Sequence, residues 1–136
     1  MKGAVYKTVL VVLLAMVCGN AAPAWVKISI SGSTTGYADP ETIVREGDTV
    51  KMMALMDYAT PPDKNEIYLS TRKLSEYDCK EQKQRTVTVA AYSGHMGTGD
   101  LVNSATDPSR DWRPLIPGSV AEILWKVACA PRGHAT

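Results

Sequence analysis

The stretch Pro117-Gly118-Ser119-Val120-Ala121-Glu122-Ile123-Leu124-Trp125-Lys126-Val127-Ala128-Cys129 is where the chain changes period. Ser119 and Glu122 have the S-x-x-E spacing of a capping box, which satisfies backbone N–H groups that a helix start leaves open. Val120, Ile123, Leu124, Val127 and Ala128 then recur at i, i+3, i+4 steps and share one helix face. Pro117 precedes the cap, and Pro131 and Gly133 follow the end. The spacing predicts one amphipathic helix over residues 120–129. Its apolar stripe must lie on something, and everything upstream reads as β.

Val26-Lys27-Ile28-Ser29-Ile30 alternates strictly, as a half-buried strand does. Residues 31–36 are Gly- and Ser-rich and read as a turn. Tyr37-Ala38-Asp39 and Thr42-Ile43-Val44 read as two short strands flanking Pro40, and Glu46-Gly47-Asp48 as a second turn. Residues 49–58 form a long strand. Val50, Met52, Ala54 and Met56 share one of its faces, with Met53 and Leu55 on the other, so both faces are covered and the strand is central. Residues 59–65, with Pro61-Pro62, form a loop. Residues 66–80 alternate again, with Tyr77 and Cys79 on one face and Leu74, Glu76 and Asp78 on the opposite one. A hairpin turn over residues 80–83 leads to a β-branched strand over 84–92, with Val87, Val89 and Ala91 on one side. Residues 93–99 are a glycine-rich loop, Leu101-Val102 is a short strand at most, and residues 105–117 are a loop anchored by Trp112. The expected fold is α+β: a single antiparallel sheet of about six strands with one C-terminal helix on a face.

The N-terminus speaks to compartment. Lys2 and Lys7 precede an uninterrupted apolar run over residues 9–17, and small residues follow up to Ala21-Ala22-Pro23-Ala24. That is the layout of a secretory signal peptide, and the run is shorter than the ~20 residues a bilayer span needs. We place cleavage after Ala24, with Ala21 as the second choice and an uncleaved anchor as the alternative. Domain bounds follow: 1–24 signal peptide, 25–130 one domain, 131–136 a short tail. Cys18 is the alternative position for lipidation, preceded by Ala15-Met16-Val17. Val17 is larger than the residue such a signal places before its cysteine.

The mature chain keeps 13 basic and 14 acidic side chains, a formal charge of −1. Neither that nor the +1 of the full chain is the basic excess of a nucleic-acid binder. Two cysteines remain, Cys79 and Cys129. An even pair in an exported chain reads as one disulfide, here pinning the helix end to the strand that carries Cys79. A metal site would need more than two thiols and two scattered histidines, so none is expected, nor any cofactor. The bridge closes a loop of about 50 residues, worth about 4 kcal/mol by chain entropy.

Few side chains suggest chemistry. His95 has Ser93 two residues before it and Asp100 five after it, but a catalytic triad needs more than closeness in a polar loop, and no G-x-S-x-G elbow exists. His134 lies in the tail. Gly94-His95-Met96-Gly97-Thr98-Gly99 lacks the Gly-Lys-Ser/Thr ending of a phosphate loop, so its glycines serve turns. Met52 and Met56 fill core gaps in a chain with no Phe, and Met53 faces away from them. Trp112 and Trp125 read as core residues covering the disulfide. Arg72, Lys73, Lys80, Lys83 and Arg85 are the one candidate binding patch: five cations on two adjacent strands and their turn, interleaved with Glu76, Asp78 and Glu81.

The order of several short motifs carries a resemblance. Trp25 is followed by Tyr37-x-Asp39, Ile43-x-x-x-Gly47, Leu55-x-Asp57-Tyr58, Tyr68-x-Ser70 and Glu76-Tyr77-Asp78-Cys79. Tyr92-Ser93-Gly94-x-Met96-Gly97-x-Gly99, Trp112-x-Pro114, Pro117-Gly118-Ser119 and Leu124-Trp125-Lys126-x-x-Cys129 complete it. Over residues 25–129 the chain resembles the surface-adhesin protein E family of Gram-negative bacteria. The resemblance implies an exported, non-enzymatic domain with a helix-to-sheet disulfide that binds host matrix or other extracellular proteins, and self-association through an open sheet edge into a homodimer would suit such a domain. The alternative is a soluble periplasmic structural or accessory protein with no host ligand. Periplasmic residence is the expected localisation, with an outer-membrane or cell-surface lipoprotein as its alternative.

Overall fold

A computed structural model describes residues 24–106 and 111–131. The signal-peptide reading, Cys18 and His134 lie outside the described residues. Six strands run β1 (Val26–Ser31), β2 (Thr34–Glu46), β3 (Thr49–Tyr58), β4 (Ser70–Asp78), β5 (Lys83–Tyr92) and β6 (Leu101–Thr106), each antiparallel to the next. A two-residue strand, β7 (Arg113–Pro114), adds to the Lys83-Gln84 end of β5. The helix α1 (Val120–Ala128) follows last and rests on β1, β2 and β3. Among the described residues no helix is long and apolar enough to cross a membrane.

β3 has the bounds its alternation predicts. Val50, Met52 and Ala54 are buried beneath α1 together with Ala38, Tyr77, Leu124 and Ala128. Ala38 and Ala54 are cross-strand partners, and their small side chains let the helix come close. On the opposite face Leu55 is only 1% exposed, because the loop around the short 3-10 turn His95–Gly97 folds over it. So β3 is covered on both sides there, as expected of a central strand.

The Ser119 cap forms, with the return bond of the box shifted one residue to Gly118 while the Ser119 N–H donates to the Ile116 carbonyl. Ser119 Oγ accepts the Glu122 N–H at 3.2 Å, and Glu122 Oε1 accepts in return from the Gly118 N–H at 3.3 Å. Cys129 caps the C-terminus, its N–H donating to the Trp125 carbonyl. Cys79 and Cys129 are bonded, with Cα atoms 5.6 Å apart. Trp125 Nε1 donates to the Asp78 carbonyl at 2.9 Å, a second tie between helix and β4 next to that bridge.

Four boundaries differ from the alternation. The first turn is only Gly32-Ser33, opened by Gly32 at φ +58°, and Thr34 to Gly36 already pair with both neighbours. The two short strands around Pro40 are one strand with a bulge between Asp39 and Val44. Pro40 has no N–H to give a ladder, and within the bulge Thr42 Oγ1 accepts the Met53 N–H at 2.9 Å and donates to the Asp39 carbonyl. The strand expected over 66–80 spans only Ser70–Asp78. Asp63 holds Asn65 and Glu66 in a turn before it, and Asp78 Oδ1 accepts from Lys80 and Glu81 to end it, leaving Cys79 in the turn. β6 is longer than its sequence suggests. It is an edge strand, exposed at every position but Val102, so no apolar alternation marks it.

Candidate binding face

Register divides the predicted basic patch. In a strand successive side chains take opposite faces. Lys73 pairs with Ala54 and Val89 and so lies on the helix side. Arg72 pairs with Leu55 and Ala90, and Arg85 with Glu76, on the face that the helix leaves open. Lys83 begins β5, and Lys80 sits in the turn. The five cations do not form one strip.

The open face instead carries two cation–π stacks. At one end Arg85 lies over the Trp112 ring, its guanidinium carbon 4.3 Å from the centroid. The same guanidinium holds Glu76, with Nε at 2.7 Å and an NH2 nitrogen at 2.6 Å from Oε1. Glu76 is 7% exposed, so this carboxylate needs its cation. β7 fixes the backbone beside Trp112, which is why Trp112 anchors its loop, though it does so on Arg85 rather than in the core. Trp125, by contrast, packs against the core as expected.

At the other end Arg72 lies 5.7 Å from the Trp25 ring. Its stem runs along Gly97, where an added Cβ would fall 2.9 Å from Arg72 Cδ, and its buried Nε has no hydrogen-bond partner. Between the stacks lie Leu74 and its cross-strand partner Met53, both half-buried. Arg72, Leu74 and Glu76 are two residues apart along β4, so the row spans about 13 Å. Trp, Arg and Met in one row are the residue types that dominate protein-binding surfaces.

The glycine-rich loop frames the row. Asp57 Oδ1 accepts the Met96 N–H at 2.7 Å, and His95 Nδ1 is 3.3 Å from both carboxylate oxygens. Ser70 Oγ donates to the Gly94 carbonyl and accepts from Gly97 N–H. Gly97 at φ +71° and Gly99 at φ +82° take the left-handed backbone the loop requires. The carboxylate beside His95 is therefore Asp57, 38 residues away in sequence, and not Asp100. Ser93 Oγ is occupied by the Asp100 N–H. The loop's hydrogen bonds fix its own shape. Among the described residues no cluster of His, Cys, Asp and Glu could hold a metal ion.

The model of surface-adhesin protein E matches residues 25–130. The chain belongs to the surface-adhesin protein E family. Its fold is that of solved Haemophilus influenzae protein E structures. The selenomethionine form is 17% identical with a TM-score of 0.59, over 86% of this chain and 94% of that one. Crystal form II is 16% identical with a TM-score of 0.58, over 82% of this chain and 91% of that one. No match was found among curated protein sequences. At these identities the protein E structures establish the fold alone. The Trp25–Arg72 and Trp112–Arg85 stacks are therefore read from this surface-adhesin protein E domain's own residues.

Two titratable groups lie on the helix side, Lys73 half-buried and Tyr77 fully buried. Burial pushes the Lys73 ammonium below the ordinary lysine value, and nearby Arg113 adds to this. Burial raises the Tyr77 phenol to about 12, with the Ser75 hydroxyl pulling weakly the other way without reaching hydrogen-bond geometry.

Proposed function

We propose that this chain is an exported, non-enzymatic domain that binds an extracellular protein through the open face of its sheet. The observation that carries the reading is the row Trp25–Arg72, Leu74, Met53 and Arg85–Trp112 on the face away from α1. Rings held on guanidinium groups lose little conformational freedom on binding, which is what an anchor residue needs. Membership in a surface-adhesin family supports the class of partner: host matrix or other extracellular proteins. Lys2, Lys7 and the apolar run over 9–17 support export, with cleavage after Ala24 exposing Trp25 as the new N-terminus. The large Val17 before Cys18 supports periplasmic release over lipid anchoring.

The test is biolayer interferometry against immobilised fibronectin, collagen and fractionated plasma proteins. The paired variant Trp25→Ala/Arg72→Ala should lose at least tenfold in affinity for whichever protein binds, while Lys80→Ala/Lys83→Ala should change little at physiological salt. Binding unaffected by the first variant and abolished by the second would return the site to the turn cations. Intact mass of the exported protein separates the two localisations. A chain starting at Trp25 supports a periplasmic domain, and one starting at an acylated Cys18 supports surface anchoring.

A further inference from the structure

The helix covers only half of its side of the sheet. Beyond its edge, Leu124, Ala54, Met56, Tyr58, Thr71, Lys73 and Val89 enclose a cleft of about 340 Å³. Thr71 and Val89 also line a second hollow of about 190 Å³ over β5 and β6, with Tyr68, Ala91 and Ala105, so the two adjoin. The Tyr58 and Tyr68 rings meet edge to face, centroids 5.9 Å apart, and wall the groove from the side. The walls of the cleft are apolar apart from Thr71 and Lys73, while the hollow sets the polar Asn103 and Ser104 beside its apolar residues.

Lys73 is the charged residue of the cleft. Its side chain has no carboxylate within ion-pair reach among the described residues. The nearby charge that acts on it, Arg113, is a second cation. Glu66 stands at the far, Tyr68 end of the groove. Next along the same face of β4, the Ser75 and Tyr77 hydroxyls are buried without hydrogen-bond partners. A half-buried, uncompensated cation costs stability unless an anion answers it.

We propose that this groove binds a single-chain fatty acid, its carboxylate on Lys73 and its alkyl chain running over Val89 and Ala91 toward Tyr68. Charge complementarity at one end and apolar walls beyond it select this chemistry over a neutral lipid. The site lies on the opposite side of the sheet from the protein-binding row, so the two readings stand or fall separately.

Titration calorimetry with decanoate and decanol, chains of equal length, tests it on the mature domain. Decanoate should saturate one site, and decanol should bind about tenfold more weakly, the worth of one charge-assisted hydrogen bond. Lys73→Met should lower decanoate affinity to that of decanol and leave decanol unchanged. Should Lys73→Met fail to fold, the 13C signal of dimethylated Lys73 in the otherwise native chain serves instead. It should titrate at higher pH once decanoate is bound. Trp25→Ala should retain decanoate binding. Equal binding of decanoate and decanol, no saturation, or an unmoved Lys73 signal would each overturn the proposal. So would occupancy by an apolar peptide's C-terminal carboxylate in preference to decanoate, or a dimer that seals the groove and that decanoate does not dissociate.

Discussion

Replacing both Cys79 and Cys129 with Ser should cost this domain much of its stability. The bridge joins residues 50 apart in sequence. The chain-entropy relation for a loop of that length gives about 4 kcal/mol of stabilisation at 25 °C, lost when the unfolded chain is freed. For a domain of about 100 residues, each kcal/mol is worth about 4–8 °C, so Tm should fall by roughly 15–30 °C. A helix of nine residues is not stable alone, and without the bridge α1 is held by Leu124, Ala128 and the Trp125 bond to Asp78. The assay is thermal and urea unfolding of three samples: oxidised wild type, reduced wild type and the double Ser variant. The two bridge-free samples should agree with each other and differ from the first by the predicted amount. A difference under about 5 °C would refute loop closure as the source of stability and assign it to docking of the helix face.

Three further outcomes follow from particular residues. The Tyr77 phenol sits near 12 when folded and 10.0 when unfolded, so stability holds below pH 10 and is lost as pH rises toward 12, by roughly 2–3 kcal/mol. Urea midpoints at pH 9 and 11.5 should show that slope, and Tyr77→Phe should remove this component of it while costing little at pH 7, since the hydroxyl has no partner to lose. Gly97→Ala must place a Cβ at φ +71° against the Arg72 stem, and should cost about 2 kcal/mol in urea unfolding and shift Trp25 fluorescence. Ser119→Ala removes the helix cap and should cost about 1 kcal/mol, read the same way.

Strands with a buried face were legible in the sequence because burial imposes period. β3 and α1 came through with their bounds nearly intact, since Val50, Met52, Ala54 and Leu124 leave no freedom of register. β6 was not legible, because an edge strand buries too little to write a pattern. The bulge at Pro40 depends on the Thr42 hydroxyl meeting Met53 across the sheet, a tertiary bond with no local trace. Of the candidate site, the split between Arg72 and Lys73 was available from strand parity alone. The pairing of Glu76 with Arg85 was not, because a turn over residues 80–83 sets Glu76 opposite Val87, whereas the hairpin centres on residues 80–81. Trp25 over Arg72 had no signal, being 47 residues away and reaching across three strands.

The order of the elements has a consequence in time. Each strand from β2 to β6 pairs with the one made just before it, so the sheet can assemble as the chain emerges. Yet the apolar floor formed by Ala38, Val50, Met52 and Ala54 belongs to the early strands, while its cover, Leu124 and Ala128, is synthesised last. The domain is therefore a box whose lid leaves the ribosome at the end. Until residue 129 appears the floor stays bare, the bridge has no second sulfur, and the chain has little reason to settle. Such a chain lacks the cover of its core for as long as the helix is missing.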